Sequence, residues 1–342
     1  MKMLPALIFL LCLGAFPVTS AGDCLDERLT GINMAGAEFG GKKIPGKVFK
    51  DYTYPKTSEL EFIAAQGANI IRLPFRWERI QHQVFEELNS AELSRLKSTV
   101  ESAHALGLCV LLDIHNYGKY YGTPIVGETI EADALADLWL RLATQFNDPQ
   151  AAIFGLMNEP SNLTIEQWSN LAKRVVARLR QAGHRNRIFV AGGRWSGMHD
   201  WFKERSGLSN AEALATIEDP INRITVEMHQ YVNKYYSGTT PDCYEPSHFA
   251  AMFERVENWA RDNKQQLFLG EFGVVPSKDC LATLRFFLQE MEDSPWTGWT
   301  YWAGGGWWGD YPFALNTDPD NPSPQWQLLQ RYFALNTRET QP

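Results

Sequence analysis

The sequence has little positive charge and no long run of basic residues. Its 342 residues include 32 Lys and Arg against 40 Asp and Glu, which gives a formal net charge of −8. Binding to nucleic acid relies on Lys and Arg side chains that neutralise phosphates. We therefore expect no nucleic-acid partner.

Three further features are missing from the sequence after residue 21. No later apolar run approaches the roughly 20 residues that a membrane-spanning helix needs, so we expect no membrane association. A Ser-, Thr- or Pro-rich linker and internal repeats are also missing, which favours one domain over 22–342. No Gly-rich phosphate-binding motif follows the first strand-like run, which disfavours a doubly wound nucleotide-binding sheet.

The first 21 residues have the pattern of a secretory signal. Lys2 is followed by an apolar run over 6–16, then by Pro17 and a segment of small residues that ends at Ala21. This run is too short to span a bilayer, and the small residues are typical of a cleavage site. We predict cleavage near Ala21 and a secreted protein, extracellular or periplasmic, that is a monomer.

Cysteines are few, and their spacing does not match that of zinc ligands. Once Cys12 is removed with the signal, four remain: Cys24, Cys109, Cys243 and Cys280. An oxidising compartment allows them to pair, and four cysteines allow three connectivities that spacing alone does not distinguish. We expect no bound metal and no cofactor.

Short apolar runs alternate along the chain with amphipathic segments. Strand-like runs lie at 30–35, 68–75, 108–114, 151–157, 187–192, 224–230, 267–272 and 297–302. Helix-like segments lie near 57–66, 90–106, 132–146, 165–182, 248–264, 279–291 and 324–334, with only a short helical piece near 199–204 after the fifth strand. Alternation of this kind indicates parallel βαβ units, and eight of them predict a single α/β (β/α)8 TIM barrel.

The ends of the predicted strands carry many polar and aromatic side chains. They are Arg72, Asp113, His115, Asn116, Asn158, Glu159, Arg194, Trp195, His229, Tyr231, Glu271 and Trp302. In a TIM barrel the carboxyl ends of the strands form the active-site face, so these side chains are expected to meet there.

Glu159 and Glu271 each follow a run of apolar residues, at the ends of the fourth and seventh strands. A carboxylate there is costly to desolvate unless it is paired. One interpretation is a structural ion pair, for example between Glu271 and Arg72. The other is a pair of catalytic carboxylates facing each other across the barrel, about 5–5.5 Å apart as in a retaining glycosidase.

Six segments together resemble the ordered signatures of glycoside hydrolase family 5, clan A. They are IIRLPF, LLDIHNYG, GLMNEP, MHQY, LGEFG and TYWAGGGWWGD, and the resemblance runs from Gly31 to Tyr332. The GLMNEP and YWAGGGWWG versions are most similar to the secreted endo-β-1,4-glucanases (cellulases) of that family. The resemblance therefore implies a retaining endo-β-1,4-glucanase that acts on cellulose and related β-glucans.

The resemblance also implies roles for the two glutamates and their neighbours. Glu159 is expected to be the general acid/base, with a pKa raised by burial and by the opposing carboxylate. Glu271 is expected to be the nucleophile, kept ionised by Arg72 and by the Tyr231 hydroxyl. Asn158 is expected to bind the sugar 2-hydroxyl, a contact that strengthens in the transition state.

The remaining site candidates are two histidines and two tryptophans. We expect His229 to orient Glu159 and His115 to contact a hydroxyl of the sugar at the cleavage point. Trp195 and Trp302 are expected to stack on sugar rings, in a chain that is 13% aromatic with 12 Trp. Each has a plainer interpretation, as a satisfied strand-end histidine or as ordinary packing.

Two other kinds of function remain open at this point. One is another enzyme of the same clan: a β-mannanase, a xyloglucanase or an exo-acting β-glucosidase. The other is a non-catalytic polysaccharide-binding barrel, which the presence of both glutamates disfavours.

The predicted barrel constrains the disulfides more than spacing does. Cys243 lies in the loop after the sixth strand and Cys280 in the loop after the seventh, both on the catalytic face, whereas Cys24 and Cys109 lie near the opposite face. A disulfide needs Cα atoms within about 7 Å. We therefore predict a Cys243–Cys280 bond, and Cys109 either pairs with Cys24 or stays a buried free thiol.

Overall fold

The computed structural model describes residues 23–25, 28–126, 130–318 and 320–333 of the chain. The predicted signal over 1–21 lies outside the described residues. None of the helices in the described ranges is long and apolar enough to cross a membrane.

Eight parallel strands close into a barrel in which each strand pairs with its neighbours in sequence and the last pairs with the first. The strands are β1 Leu29–Met34, β2 Ile70–Phe75, β3 Cys109–Ile114, β4 Ala152–Gly155, β5 Ile188–Ala191, β6 Ile224–His229, β7 Leu267–Glu271 and β8 Trp296–Gly304. The predicted TIM barrel is confirmed.

A helix follows every strand of the barrel. These are α1 Thr57–Ala65, α2 Ser90–Ala105, α3 Ala134–Gln145, α4 Ile165–Gln181, α5 Asn210–Ala215, α6 Ser247–Asp262, α7 Lys278–Glu290 and α8 Pro324–Leu329. Shorter elements are a helical turn at Trp77–Ile80, 3₁₀ turns at Met198–Asp200, Lys234–Tyr236 and Gln330–Tyr332, and a small hairpin of Lys119–Tyr120 with Thr123–Pro124.

Helix α5 was not among the predicted helices, since its six residues show little periodicity. Its start does carry a local signal. The Ser209 hydroxyl accepts a hydrogen bond from the Glu212 backbone N–H, and the Glu212 carboxylate accepts one from the Ser209 backbone N–H. This reciprocal capping box satisfies two backbone donors that a helix start otherwise leaves unpaired.

The barrel interior changes from apolar to charged along the strands. A buried cluster that includes Ile70, Leu111 and Phe268 fills the amino-terminal end. Two positions further along β2 and β3, on the same face of each strand, come Arg72 and Asp113, which are also buried. The apolar layer therefore supports a layer of ionisable groups directly below the carboxyl ends of the strands.

Among the described residues there are two disulfides, one at each end of the barrel. Cys243 and Cys280 are joined with a Cα separation of 5.6 Å, and Cys280 lies in the first turn of α7 rather than in the preceding loop. Cys24 and Cys109 are joined with a Cα separation of 5.0 Å. Cys24 reaches β3 because its segment passes below the barrel, where its backbone N–H donates to the carbonyl of Gln150.

Replacing Cys243 and Cys280 together by Ala should destabilise the fold. Their bond closes 37 residues, and a loop of that length restricts the unfolded chain enough to stabilise the fold by about 3–4 kcal/mol. We expect denaturant unfolding to report a loss of this order, and non-reducing peptide mapping of the wild type to recover the Cys243–Cys280 peptide. Recovery of either cysteine as a free thiol would contradict this arrangement of the two loops.

Candidate active site

An open cleft of about 1000 Å³ crosses the carboxyl ends of the strands. Seven of the nine predicted site residues line it: His115, Glu159, Trp195, His229, Tyr231, Glu271 and Trp302. The other two, Arg72 and Asn158, are buried and contact residues of the cleft from within the barrel.

Arg72 is fully buried and contacts three carboxylates. Its nitrogens lie 2.9 Å from Glu271, 2.8 Å from Glu227 and 3.2 Å from Asp113. Burial opposes the charged guanidinium, but the three carboxylates outweigh it and raise the pKa of Arg72. The side chain is therefore a permanent cation among these three carboxylates.

Both carboxylate oxygens of Glu271 accept hydrogen bonds. Arg72 donates to one oxygen at 2.9 Å, and the Tyr231 hydroxyl donates to the other at 2.7 Å. Only 4% of the residue is exposed. These two donors fix the orientation of the carboxylate and stabilise its negative charge, as the nucleophile assignment requires.

Glu159 follows β4 on a backbone with a φ of +39°, which turns its side chain into the cleft. The carboxylate is 13% exposed and lies 2.7 Å from Nδ1 of His229. Burial raises the pKa of Glu159, and the negative charge of Glu271 raises it further, against the opposing effect of the His229 hydrogen bond. The pKa of Glu159 is therefore shifted upward, as expected from the sequence for a general acid.

His229 lies among carboxylates on three sides. Nδ1 faces Glu159 at 2.7 Å and Glu271 at 3.8 Å, and Nε2 faces Glu227 at 3.3 Å. Burial disfavours the charged ring, but the carboxylates outweigh burial and raise the pKa of His229 to about 10. At neutral pH both ring nitrogens therefore carry protons and donate hydrogen bonds.

The two glutamates lie close together across the cleft. One oxygen of Glu159, one of Glu271 and a nitrogen of His229 all lie within 4.8 Å of one another. Three such donors could in principle hold a metal ion, but an imidazolium has no free lone pair for a metal. The arrangement is better suited to proton transfer than to metal binding.

Asn158 and His115 present polar groups beside the two glutamates. The Asn158 side-chain oxygen accepts from Arg72 at 2.8 Å, which leaves its amide nitrogen facing His115. In His115, Nδ1 faces Asp113 at 2.8 Å and Nε2 faces the Tyr117 hydroxyl at 3.0 Å. Burial lowers the pKa of His115 well below its ordinary value, so this ring is neutral.

The two predicted tryptophans occupy different positions in the cleft. The Trp302 ring is nearly parallel to that of His115, with centroids 5.7 Å apart, and is largely buried. Trp195 is 52% exposed and stands on a tight turn, since Arg194 and Ser196 on either side both have positive φ. The Ser196 hydroxyl fixes that turn by donating to the Glu227 carbonyl.

The sequence analysis did not identify Glu227 as part of the site. This carboxylate is buried between Arg72 and His229, and these two cations outweigh the effect of burial and lower its pKa. A sequence signal was available: Glu227 lies two residues before His229 in the same strand, so both side chains point to the same face.

Comparison with known proteins places the chain in a family. Residues 30–305 match the family described as Cellulase (glycosyl hydrolase family 5). The chain belongs to glycosyl hydrolase family 5. The resemblance noted in the sequence is thereby confirmed.

Relatives of this family 5 chain are similar over nearly its whole length. Endo-beta-1,4-glucanase A of Emericella nidulans is 32% identical over 309 residues, which cover 89% of this chain and 91% of that protein. The endo-beta-1,4-glucanase Xac0029 of Xanthomonas axonopodis pv. citri is 37% identical, with a TM-score of 0.87 over 91% of this chain and 99% of that one. The structure of XacCel5A in complex with cellopentaose is 42% identical, with a TM-score of 0.86 over 89% of this chain and 99% of that one.

Replacing Glu227 by Gln should lower the pKa of His229 from about 10 toward its ordinary value, because Glu227 is one of the carboxylates that stabilise the imidazolium. A group whose pKa is higher in the folded than in the unfolded protein stabilises the fold. This stabilisation is complete at pH values below the unfolded pKa and is lost as the pH rises through the folded pKa. The variant should therefore lose the stabilisation that charged His229 gives the fold at a lower pH than the wild type does.

NMR titration of the imidazole nitrogens measures this shift directly. His199, whose Nδ1 faces Gln230 at 3.2 Å, is an internal control that should titrate unchanged. If His229 titrates identically in the wild type and in the Glu227→Gln variant, Glu227 does not stabilise the imidazolium of His229.

Proposed function

We propose that this protein is a retaining endo-β-1,4-glucanase that hydrolyses internal bonds of cellulose and related β-glucans. The observation that carries the proposal is the spacing of the two glutamates, whose nearest oxygens lie within 4.8 Å. Retaining glycosidases hold their carboxyl groups about 5–5.5 Å apart, whereas inverting enzymes need about 6.5–9.5 Å to admit a water molecule.

In the first step, Glu271 attacks the anomeric carbon and forms a glycosyl ester. The bond from that carbon to the leaving oxygen breaks, and the oxygen takes the proton of Glu159. Burial and the charge of Glu271 raise the pKa of Glu159, the direction that a proton donor needs for this transfer. Arg72 and Tyr231 hold the Glu271 carboxylate in place for the attack.

In the second step, Glu159 accepts a proton from water as that water attacks the anomeric carbon. The ester bond breaks, Glu271 leaves as a carboxylate and Glu159 is again protonated. Throughout the cycle His229 stays charged and donates to Glu159. His229 therefore orients the acid/base without exchanging a proton itself.

The proposed substrate follows from the shape and composition of the cleft. The cleft crosses the barrel from Lys42, after β1, to Tyr235, after β6, so a chain can extend beyond the glutamates in both directions. Trp195 and Trp302 offer flat faces to pyranose rings, and Asn158 and His115 offer polar groups to hydroxyls. Relatives named endo-beta-1,4-glucanase and a related structure in complex with cellopentaose support a β-glucan substrate.

We further propose that the protein is secreted. The signal pattern over 1–21 and the two disulfides both fit an oxidising compartment. Several endoglucanases to which it is similar come from fungi, such as Emericella nidulans.

Endo action on glucan should appear as an early fall in viscosity. We expect carboxymethylcellulose to lose viscosity well before many reducing ends are released, because cleavage within a chain shortens it most. Viscometry with a parallel reducing-sugar assay, repeated on β-mannan, measures this. Reducing ends released without loss of viscosity would indicate exo action, and faster cleavage of mannan would indicate a β-mannanase.

Replacing Glu159 by Gln should slow hydrolysis of cello-oligosaccharides by about 10²- to 10⁴-fold, the usual contribution of a general acid. An aryl cellobioside with a strongly acidic phenol needs no proton on its leaving group. Its burst of phenol should therefore persist, since this substrate still forms the glycosyl ester.

Stopped-flow and steady-state assays on both substrates test this leaving-group dependence. Glu61→Gln, at an exposed position on α1, is the matched control and should behave as the wild type. An equal loss of rate on both substrates would mean that Glu159 is not the general acid.

A further inference from the structure

The two ends of the cleft differ in chemistry. The end formed by the loops after β5 and β6 is aromatic, with Trp195, His199, Tyr235 and Tyr236 among its lining residues. The end formed by the loops after β1, β2 and β3 carries three cationic side chains, those of Lys42, Arg76 and Lys119. A cationic end is unexpected in a chain with a net charge of −8.

Much of this positive charge comes from one loop. Five lysines fall between β1 and α1, at Lys42, Lys43, Lys47, Lys50 and Lys56. Asp51, the acidic residue near the centre of this loop, binds the Lys43 ammonium at 3.2 Å and the Lys47 backbone N–H at 2.9 Å. Asp51 is therefore already engaged and does not neutralise Lys42, which faces the cleft.

Arg76 is held by carbonyl groups rather than by a carboxylate. Nη1 donates to the His115 carbonyl at 2.6 Å and Nε donates to the Glu38 carbonyl at 3.3 Å. Gly41 packs against this guanidinium, since a Cβ there would lie 2.6 Å from Nη2. Carbonyl partners orient the guanidinium without forming an ion pair with it.

One acidic residue, Glu78, also lines the cationic end. It is almost fully buried, and both of its oxygens are engaged, by the Tyr121 backbone N–H at 2.8 Å and by the Asn116 amide at 2.8 Å. Among the residues that the structure describes, no salt bridge includes Lys42, Arg76 or Lys119. This end of the cleft therefore has a net positive charge.

We propose that the cationic end of the cleft selects β-glucans that carry carboxylate groups, such as chains in which some glucose units are oxidised at C6 to glucuronate. A neutral glucan offers these cations only hydroxyl oxygens as acceptors, whereas a carboxylate forms the stronger charge-assisted hydrogen bonds with Lys and Arg. This inference rests on the proposed glucanase function and names a preferred form of its substrate.

The test compares cello-oligosaccharides of one length in neutral and in C6-oxidised form. We expect the wild type to show a higher kcat/KM for the oxidised form at low salt. The preference should shrink in 0.5 M NaCl, where the Debye length is only about 4 Å. A neutral substrate has no charge to screen, so its kcat/KM should change little.

Lys42 and Lys50, two exposed lysines of this loop, make a matched pair of variants. Lys42→Met should lower the ratio of oxidised to neutral kcat/KM by about two- to fivefold, the effect of one exposed ion pair. Lys50, which does not line the cleft, should leave the ratio unchanged when it is replaced as Lys50→Met. Equal kcat/KM values for the two substrates in the wild type, or an equal loss on both in Lys42→Met, would overturn the proposal.

Binding to an inactive variant separates this proposal from the function it rests on. Titration calorimetry of Glu159→Gln with both oligosaccharides reports selectivity even if no glucan is hydrolysed. Tighter binding of the oxidised form, weakened by salt, supports the cationic end as a carboxylate site. Equal binding of the two forms contradicts it, even if the wild type proves to be an active glucanase.

Discussion

The ion pairs of Arg72 are the interaction on which the rest of the site depends. A guanidinium with no exposed surface is stable only where carboxylates and hydrogen-bond acceptors surround it, and Arg72 has three such carboxylates together with the side-chain oxygens of Asn33 and Asn158. Removing one partner of a buried pair leaves an uncompensated charge, which costs about 3–5 kcal/mol. The need to satisfy Arg72 therefore fixes the positions of the side chains around it, Glu271 and Asn158 among them.

From Arg72, charge alternates along a chain of five residues that joins the two glutamates. The order is Glu271, Arg72, Glu227, His229 and Glu159, with successive contacts of 2.9, 2.8, 3.3 and 2.7 Å. The network explains how two carboxylates within 4.8 Å of each other differ in environment. Glu271 contacts a permanent cation and a hydroxyl, whereas Glu159 lies at the end of the network that faces the cleft, where burial and the charge of Glu271 raise its pKa. This asymmetry is what a double-displacement mechanism requires of its nucleophile and its acid/base.

Features that arise from periodic patterns or strand ends could be predicted from the sequence, and features that depend on close packing could not. The alternation of strands and helices predicted the barrel, and the barrel placed Glu159, Glu271, His229 and Tyr231 on one face.

Helix α5 was missed because six residues show too little periodicity. Glu227 was missed although its position two residues before His229 was a signal, because its contact with Arg72 is visible only once the strands are assembled. The sequence did not decide whether Cys24 pairs with Cys109, because strand order alone did not show that the segment of Cys24 passes below the barrel. Likewise, the clustering of the cations at one end of the cleft becomes visible only when three loops are brought together.

The central claim is that Glu271 forms a covalent bond to the sugar. The most direct measurement is mass spectrometry of the protein after incubation with a 2-deoxy-2-fluoro-cellobioside that has a good leaving group, because the fluorine slows hydrolysis of the glycosyl ester more than its formation. Our account predicts that the mass increases by one fluorinated cellobiosyl unit and that peptide mapping locates this unit on Glu271. A label on Glu159, or leaving-group release without any labelled protein, would contradict the account.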